Sequence, residues 1–264
     1  MVADKVIIEL GLEKKISIAH LTDIHISLAD ERDSHLADHA VERATVFYEE
    51  ANKPEKTPSE YFREAIDFSE KNCDLCIITG DVIDFVSAKN IEETEAILSG
   101  KDYMFTAGNH EFCPRVGVPD SFARKADIFG DIQKSFKGNM FFESRIVGGV
   151  NLVTVDNSYY NYSALHIKML KEEIEKGLPI LLFSHVPLSD PTLKLERHHR
   201  DLVPDGYMME QNRAFLELVS SCELIKAVFS GHWHVPAKFR ITESLTEYIT
   251  PGLFKGAFTL IEVV

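Results

Sequence analysis

Positive charge is scarce in this sequence: 28 Lys and Arg stand against 42 Asp and Glu, a formal net charge of −14 at pH 7. That balance lacks the basic footprint of a protein that grips nucleic acid or an anionic membrane through charge. A small or locally recognised substrate fits it better. Cysteine is scarce too. Cys73, Cys76, Cys113 and Cys222 are the whole supply, and the pair in CDLC has no second CxxC to complete a zinc site. NCDLCIITG reads as a buried strand over 74–79, so its thiols are expected in the core, and free thiols of this kind suit a reducing compartment. Long apolar runs are missing as well. No stretch approaches the roughly 18 apolar residues of a membrane-spanning helix, and MVADKVIIELGLEKKISIAHL has no apolar segment leading to a small-residue cleavage site. A cytoplasmic protein without membrane contact is the expectation. With no internal repeat, low-complexity tract or linker, one domain over 1–264 is the simplest organisation.

The residues that are present alternate between two periodicities. Strand-like runs occur at VIIEL (6–10), ISIAHL (16–21), LCIIT (75–79), YMFTA (103–107), NLVTV (151–155), ILLFS (180–184) and IKAVFS (225–230). Helical spacing marks 59–72, 90–99, 164–177 and 212–221, where apolar residues fall mostly three or four apart. The alternation predicts an α/β sheet fold. The tail, 238–264, runs strand after strand with only turn residues between, and predicts a second, more antiparallel sheet. Two longer irregular stretches remain, 26–58 and 186–211, and loops of that length often carry function.

Five of these strands end in the same kind of residue. Thr-Asp23-Ile-His25 follows IAHL, Gly80-Asp81-Val-Ile-Asp84 follows CIIT, and Gly108-Asn109-His110-Glu111 follows MFTA. His185 follows LLFS, and Gly231, His232 and His234 follow AVFS. Ligands of open α/β sheets bind beyond the carboxyl ends of the strands, so these side chains can converge on one place. Singly, each has an ordinary reading: an Asp after a strand caps a helix, and a buried His is hydrogen-bonded and inert. Together they form a mixed imidazole, carboxylate and amide donor set, which suits first-row transition metals better than magnesium or calcium. Asp23, His25, Asp81, Asn109, His185, His232 and His234 are too many for one four-coordinate ion and enough for two ions sharing a bridging carboxylate. In extended backbone His232 and His234 would face one way and Trp233 the other.

As an ordered set, D23-I-H25, G80-D-V-I-D84, G108-N-H-E111, H185 and G231-H-W-H234 resemble the signature of the calcineurin-like metallophosphoesterases. The resemblance implies a four-layer αββα sandwich of two mixed β-sheets flanked by helices, with a binuclear metal centre at one edge. It implies one ion held by Asp23, His25 and His234, a second by Asn109, His185 and His232, and Asp81 bridging both. Manganese or iron is the expected metal, with zinc as a further option. His110 would act as general acid near the leaving group, oriented by Asp84, while a metal-bridging hydroxide attacks phosphorus in line.

Departures narrow the resemblance. Purple acid phosphatases carry a tyrosine ligand where this chain has Asp84, and protein serine/threonine phosphatases follow the second motif with Arg-Gly where this chain has Phe85-Val86. Repair nucleases of the family carry an added DNA-capping domain and a basic surface, and neither is visible here. The nearest resemblance is to small bacterial phosphodiesterases of the cyclic-nucleotide type. The expected activity is hydrolysis of phosphodiesters or small phosphorylated metabolites, with a phosphomonoesterase or a non-catalytic scaffold of the same fold as alternatives. Outside the signature, His35 and His39 read as a solvated helix start near the site. RHHR (197–200) reads either as phosphate contacts through Arg197 or Arg200 or as a solvated loop. Tyr207, Met208 and Met209 read as apolar packing, with a nucleobase or lipid pocket as the alternative.

Overall fold

A computed structural model describes residues 1–188 and 206–264, with side chains from 210 onward in the second stretch. Eleven strands form two sheets among these residues. The first sheet has the order β1-β11-β2-β3-β4, built from β1 (Val2–Ile8), β2 (Ile16–Leu21), β3 (Leu75–Thr79), β4 (Tyr103–Thr106) and β11 (Ala257–Val263). The second has the order β5-β6-β7-β8-β10-β9, from β5 (Phe142–Val147), β6 (Val150–Val155), β7 (Ile180–Phe183), β8 (Ile225–Ser230), β9 (Ala237–Arg240) and β10 (Thr246–Ile249). The helices are α1 (Ala37–Glu50), α2 (Pro58–Asn72), α3 (Ala88–Leu98), α4 (Phe122–Lys134), α5 (Ala164–Ile174) and α6 (Gly206–Ser221).

The central strands are buried on both faces, which is why they read as continuous apolar runs. Ile18, Ile77 and Met104 from the first sheet pack with Leu152, Leu181, Ala227 and Phe229 from the second. The opposite pleats, carrying Leu21, Ile78, Phe105, Val153, Leu182 and Val228, pack with Phe62 and Ile66 of α2, Ile97 of α3, Leu170 of α5 and Phe215 of α6. This is the expected sandwich of two mixed sheets between helices. The cysteines are free thiols, with Cys76 and Cys113 buried and Cys73 and Cys222 only partly so.

The tail departs from expectation, because it divides between the sheets. β10 extends the second sheet parallel to β8, β9 closes its edge antiparallel to β10, and β11 inserts into the first sheet between β1 and β2. β11 is the apolar partner β2 needs: Ile261 and Val263 face the space between the sheets and Phe258 the helices. The stretch 26–58 is also less irregular than expected, since it contains α1. His39 on that helix is buried, and its Nε2 accepts from the Val116 amide at 3.1 Å. His35 alone is exposed. Arg197, Arg200 and their neighbours in RHHR lie outside the described residues, as do the side chains of Tyr207, Met208 and Met209. No helix among the described residues is long and apolar enough to cross a membrane.

Candidate metal centre

All five motifs leave the carboxyl ends of their strands at one edge of the sandwich. β2, β3 and β4 deliver Asp23, His25, Asp81, Asp84, Asn109 and His110, while β7 and β8 deliver His185, His232 and His234. Glycine permits the approach. A Cβ on Gly231 would lie 2.0 Å from Thr22 Oγ1 and 2.5 Å from Asp23 Oδ2, so only a bare backbone lets the end of β8 reach the end of β2. The His232 amide then donates to Asp23 Oδ2 at 2.9 Å and joins the two sheets. Within the first sheet, Glu111 accepts from the amides of Asp81 (2.9 Å), Val82 (2.7 Å) and Gly108 (2.6 Å), locking the ends of β3 and β4 together.

The expected extended backbone at His232 and His234 is not what forms. Their φ angles are +68° and +58°, and Asp23, His25 and Asp81 are likewise left-handed at +53°, +56° and +50°. A non-glycine residue in this region costs about 1 kcal/mol or more, and such strain gathers where a site over-determines the backbone. The two histidines converge through these turns rather than through strand alternation. Trp233 between them packs edge-on against Phe239, centroids 5.4 Å apart.

Two clusters result, joined at Asp81. Asp23, His25 and His234 form one, and Asp81, His185 and His232 the other, with ligand atoms in each within 4.8 Å of one another. In the first, Asp23 Oδ1 is 3.4 Å from His234 Nε2, and the Nε2 atoms of His25 and His234 are 3.0 Å apart. In the second, Asp81 Oδ2 is 3.3 Å from His185 Nε2, which is 3.2 Å from His232 Nδ1. Asp81 Oδ2 also reaches to 3.7 Å from His25 Nε2. Asn109 precedes His110, and its Oδ1 is buried without a hydrogen-bond partner, as is Asp23 Oδ1. By contrast His20 is wedged between Thr250 Oγ1 and Thr79 Oγ1 at 2.7 and 2.8 Å, and burial pushes its pKa down to about 3, a neutral structural ring.

The remaining ring nitrogens point outward to fixed partners. His185 Nδ1 donates to the Thr79 carbonyl at 2.7 Å and His25 Nδ1 lies 3.1 Å from Asp84 Oδ1, which directs the Nε2 of each ring toward Asp81. Such partners set the tautomer a metal needs. Two buried oxygens without a hydrogen bond, imidazole nitrogens turned inward by their far-side partners and a carboxylate between the clusters fit a pair of cations. Geometry also places His110 with His25 and Asp81 as a third group, its Nε2 4.0 Å from Asp81 Oδ2. His110 Nδ1 donates to the Asp84 carbonyl at 2.6 Å and lies 3.1 Å from Asp84 Oδ1. Asp84 thus serves both His110 and His25, and its counter-ion is Arg43, at 2.6 and 3.0 Å. Burial alone would raise the Asp84 carboxyl, but hydrogen bonds from His110, His25 and Arg43 hold it well below the usual carboxylate range.

Sequence reasoning missed Arg43, Glu50 and Tyr160. Tyr160 OH lies 2.8 Å from His232 Nε2, with its backbone left-handed at φ +56°, and no sequence pattern marks any of the three.

Burial lowers the pKa of His185, but the Asp81 carboxylate more than offsets this and lifts it to about 9. Below that pH an incoming cation must displace a proton. Metal uptake is therefore expected to release protons, and apparent affinity to rise from pH 6 to about pH 9. Isothermal titration in buffers of different ionisation enthalpy measures both.

An α/β sandwich with this donor set at its strand ends fits a metal-binding protein. The sequence matches the calcineurin-like phosphoesterase family over residues 16–236, and the chain belongs to that family. Membership makes it a metal-dependent phosphoester hydrolase and implies a binuclear centre of divalent or trivalent ions. Its fold is similar to that of a dimetal phosphatase from Danio rerio (TM-score 0.54, 11% identity, covering 91% of this chain and 88% of that one). It is also similar to a purple acid phosphatase from yellow lupin (TM-score 0.55, 11% identity, 90% of this chain and 44% of that one). A sulfate thiohydrolase from Thermus thermophilus shares it as well (TM-score 0.50, 10% identity, 92% and 54%). At such identities the likeness is one of fold. No curated protein sequence matches the chain.

Proposed function

We propose that this chain, acting as a single domain, hydrolyses phosphodiesters or small phosphorylated metabolites. Asp23, His25 and His234 hold one ion, Asn109, His185 and His232 the other, and Asp81 lies between them. The observation that carries this reading is the pair of buried oxygens without partners, Asp23 Oδ1 and Asn109 Oδ1, one in each group of donors. Bound there, two manganese or iron ions, or zinc, would supply Lewis acidity toward water and toward a phosphoryl group.

His110 holds its proton at Nε2 and delivers it to the leaving oxygen, while Asp84 fixes the ring through Nδ1. Burial lowers the His110 pKa, but Asp81 and Asp84 outweigh it and raise the ring well above its ordinary value. A preference for a singly charged diester is supported by the cationic side chains at the site among the described residues: Arg43 is paired with Asp84 and Lys255 with Glu50. Neither is open to grip the extra charge of a monoester. The net charge of −14 argues against nucleic acid as the substrate.

The test is a manganese-reconstituted assay comparing an aryl phosphomonoester, its bis-aryl phosphodiester and cyclic nucleotides. Faster turnover of the diester or the cyclic nucleotides is expected. Faster turnover of the monoester overturns the preference.

A further inference from the structure

Helix α1 lies outside the strand-end pattern, yet three of its residues, Arg43, Phe47 and Glu50, are spaced four and three apart and share one face. That face lies against the candidate centre. Arg43 makes a two-pronged pair with Asp84, Nε to Oδ2 at 2.6 Å and Nη2 to Oδ1 at 3.0 Å. Its guanidinium lies over the Phe47 ring, 4.8 Å from the centroid. Phe47 stacks on the His25 imidazole, with centroids 4.3 Å apart and planes 19° from parallel. One turn on, Glu50 Oε1 lies 3.2 Å from His234 Nδ1 and 3.0 Å from Lys255 Nζ, which holds the carboxylate in place.

From this arrangement we infer that α1 is a positioning clamp for one half of the centre. Glu50 accepts the Nδ1 proton of His234, so His234 presents Nε2. Arg43 holds Asp84, which does the same for His25, and Phe47 fixes the plane of the His25 ring. A carboxylate on the second nitrogen of a ligating histidine orients the ring and raises its basicity. Tyr160 stands in the equivalent relation to the other half: its hydroxyl meets His232 Nε2 at 2.8 Å, so His232 presents Nδ1. The clamp rests on the ligand assignment proposed above.

Glu50 is partly exposed, with 38% of its side chain accessible, so its replacement leaves the fold intact. The test strips the full chain of metal and titrates it with manganese alone against a competing chelator, counting tightly held ions. Wild type is expected to hold two. Glu50→Ala and Tyr160→Phe should each weaken one site about 10- to 100-fold and leave one tight ion, and the double variant should leave none. Glu50→Gln keeps an acceptor oxygen and should recover most of the loss. The thermal midpoint of the stripped Glu50 variants should stay with that of stripped wild type. If wild type holds two ions and Glu50→Ala changes neither, or weakens both equally, the clamp is wrong. If the double variant still holds one tight ion, the two residues serve the same site and the division is wrong. If wild type holds no ion, the ligand assignment fails and the clamp fails with it.

Discussion

Asp81→Asn is expected to abolish metal-dependent turnover, a loss beyond the 10²- to 10³-fold or so typical of one electrostatic group. The substitution is nearly isosteric, and the side-chain amide oxygen it introduces can still accept from the His110 backbone N–H, as Asp81 Oδ1 does at 2.9 Å. What disappears is the charge. Asp81 belongs to the second cluster and lies beside the first, with His185 and His25 at 3.3 and 3.7 Å from its Oδ2. On the proposed ligand assignment, removing it strips one negative charge from two adjacent cation sites at once. Metal analysis of the purified variant should therefore show less than the full complement, while circular dichroism matches wild type. Full metal content with full turnover would refute the bridging role.

His110→Ala should behave differently, with kcat reduced by about 10²- to 10⁴-fold and metal content unchanged. A general acid matters most when the departing oxygen is a poor leaving group. The loss should therefore be large for alkyl esters and small for nitrophenyl esters. Because His110 Nε2 comes within 4.0 Å of Asp81 Oδ2, geometry alone also allows His110 to be a ligand. A variant that loses metal would make it one, and one that loses activity equally for good and poor leaving groups would rule out the general-acid role.

The strand-end residues were legible because each closes an apolar run that pairs in a sheet, and sheet topology alone brings such ends together. The means of convergence were not legible. Left-handed backbone at Asp23, His25, Asp81, His232 and His234 has no signature in hydrophobic periodicity, so a strand end reads as extended. The extent of helix α1 beyond the start read at His35 and His39 was hidden for a related reason. Val41, Val46 and Tyr48 point outward while His39, Arg43 and Phe47 point in, which blurs the apolar stripe that marks a helix. β5 escaped notice as an edge strand carrying Glu143 and Arg145, and α4 because only Ile132 on it is buried. The split of the tail is a matter of long-range pairing: β11 reaches across the chain to lie beside β1 and β2, and its own residues specify only that it is a strand.

The central claim is a pair of ions sharing Asp81, and anomalous scattering from crystals of the manganese-loaded protein tests it most directly. Two peaks about 3.5–4 Å apart are expected, with Asp81 between them, His25 and His234 on one side and His185 and His232 on the other. A single peak, or two peaks that do not share Asp81, would contradict it.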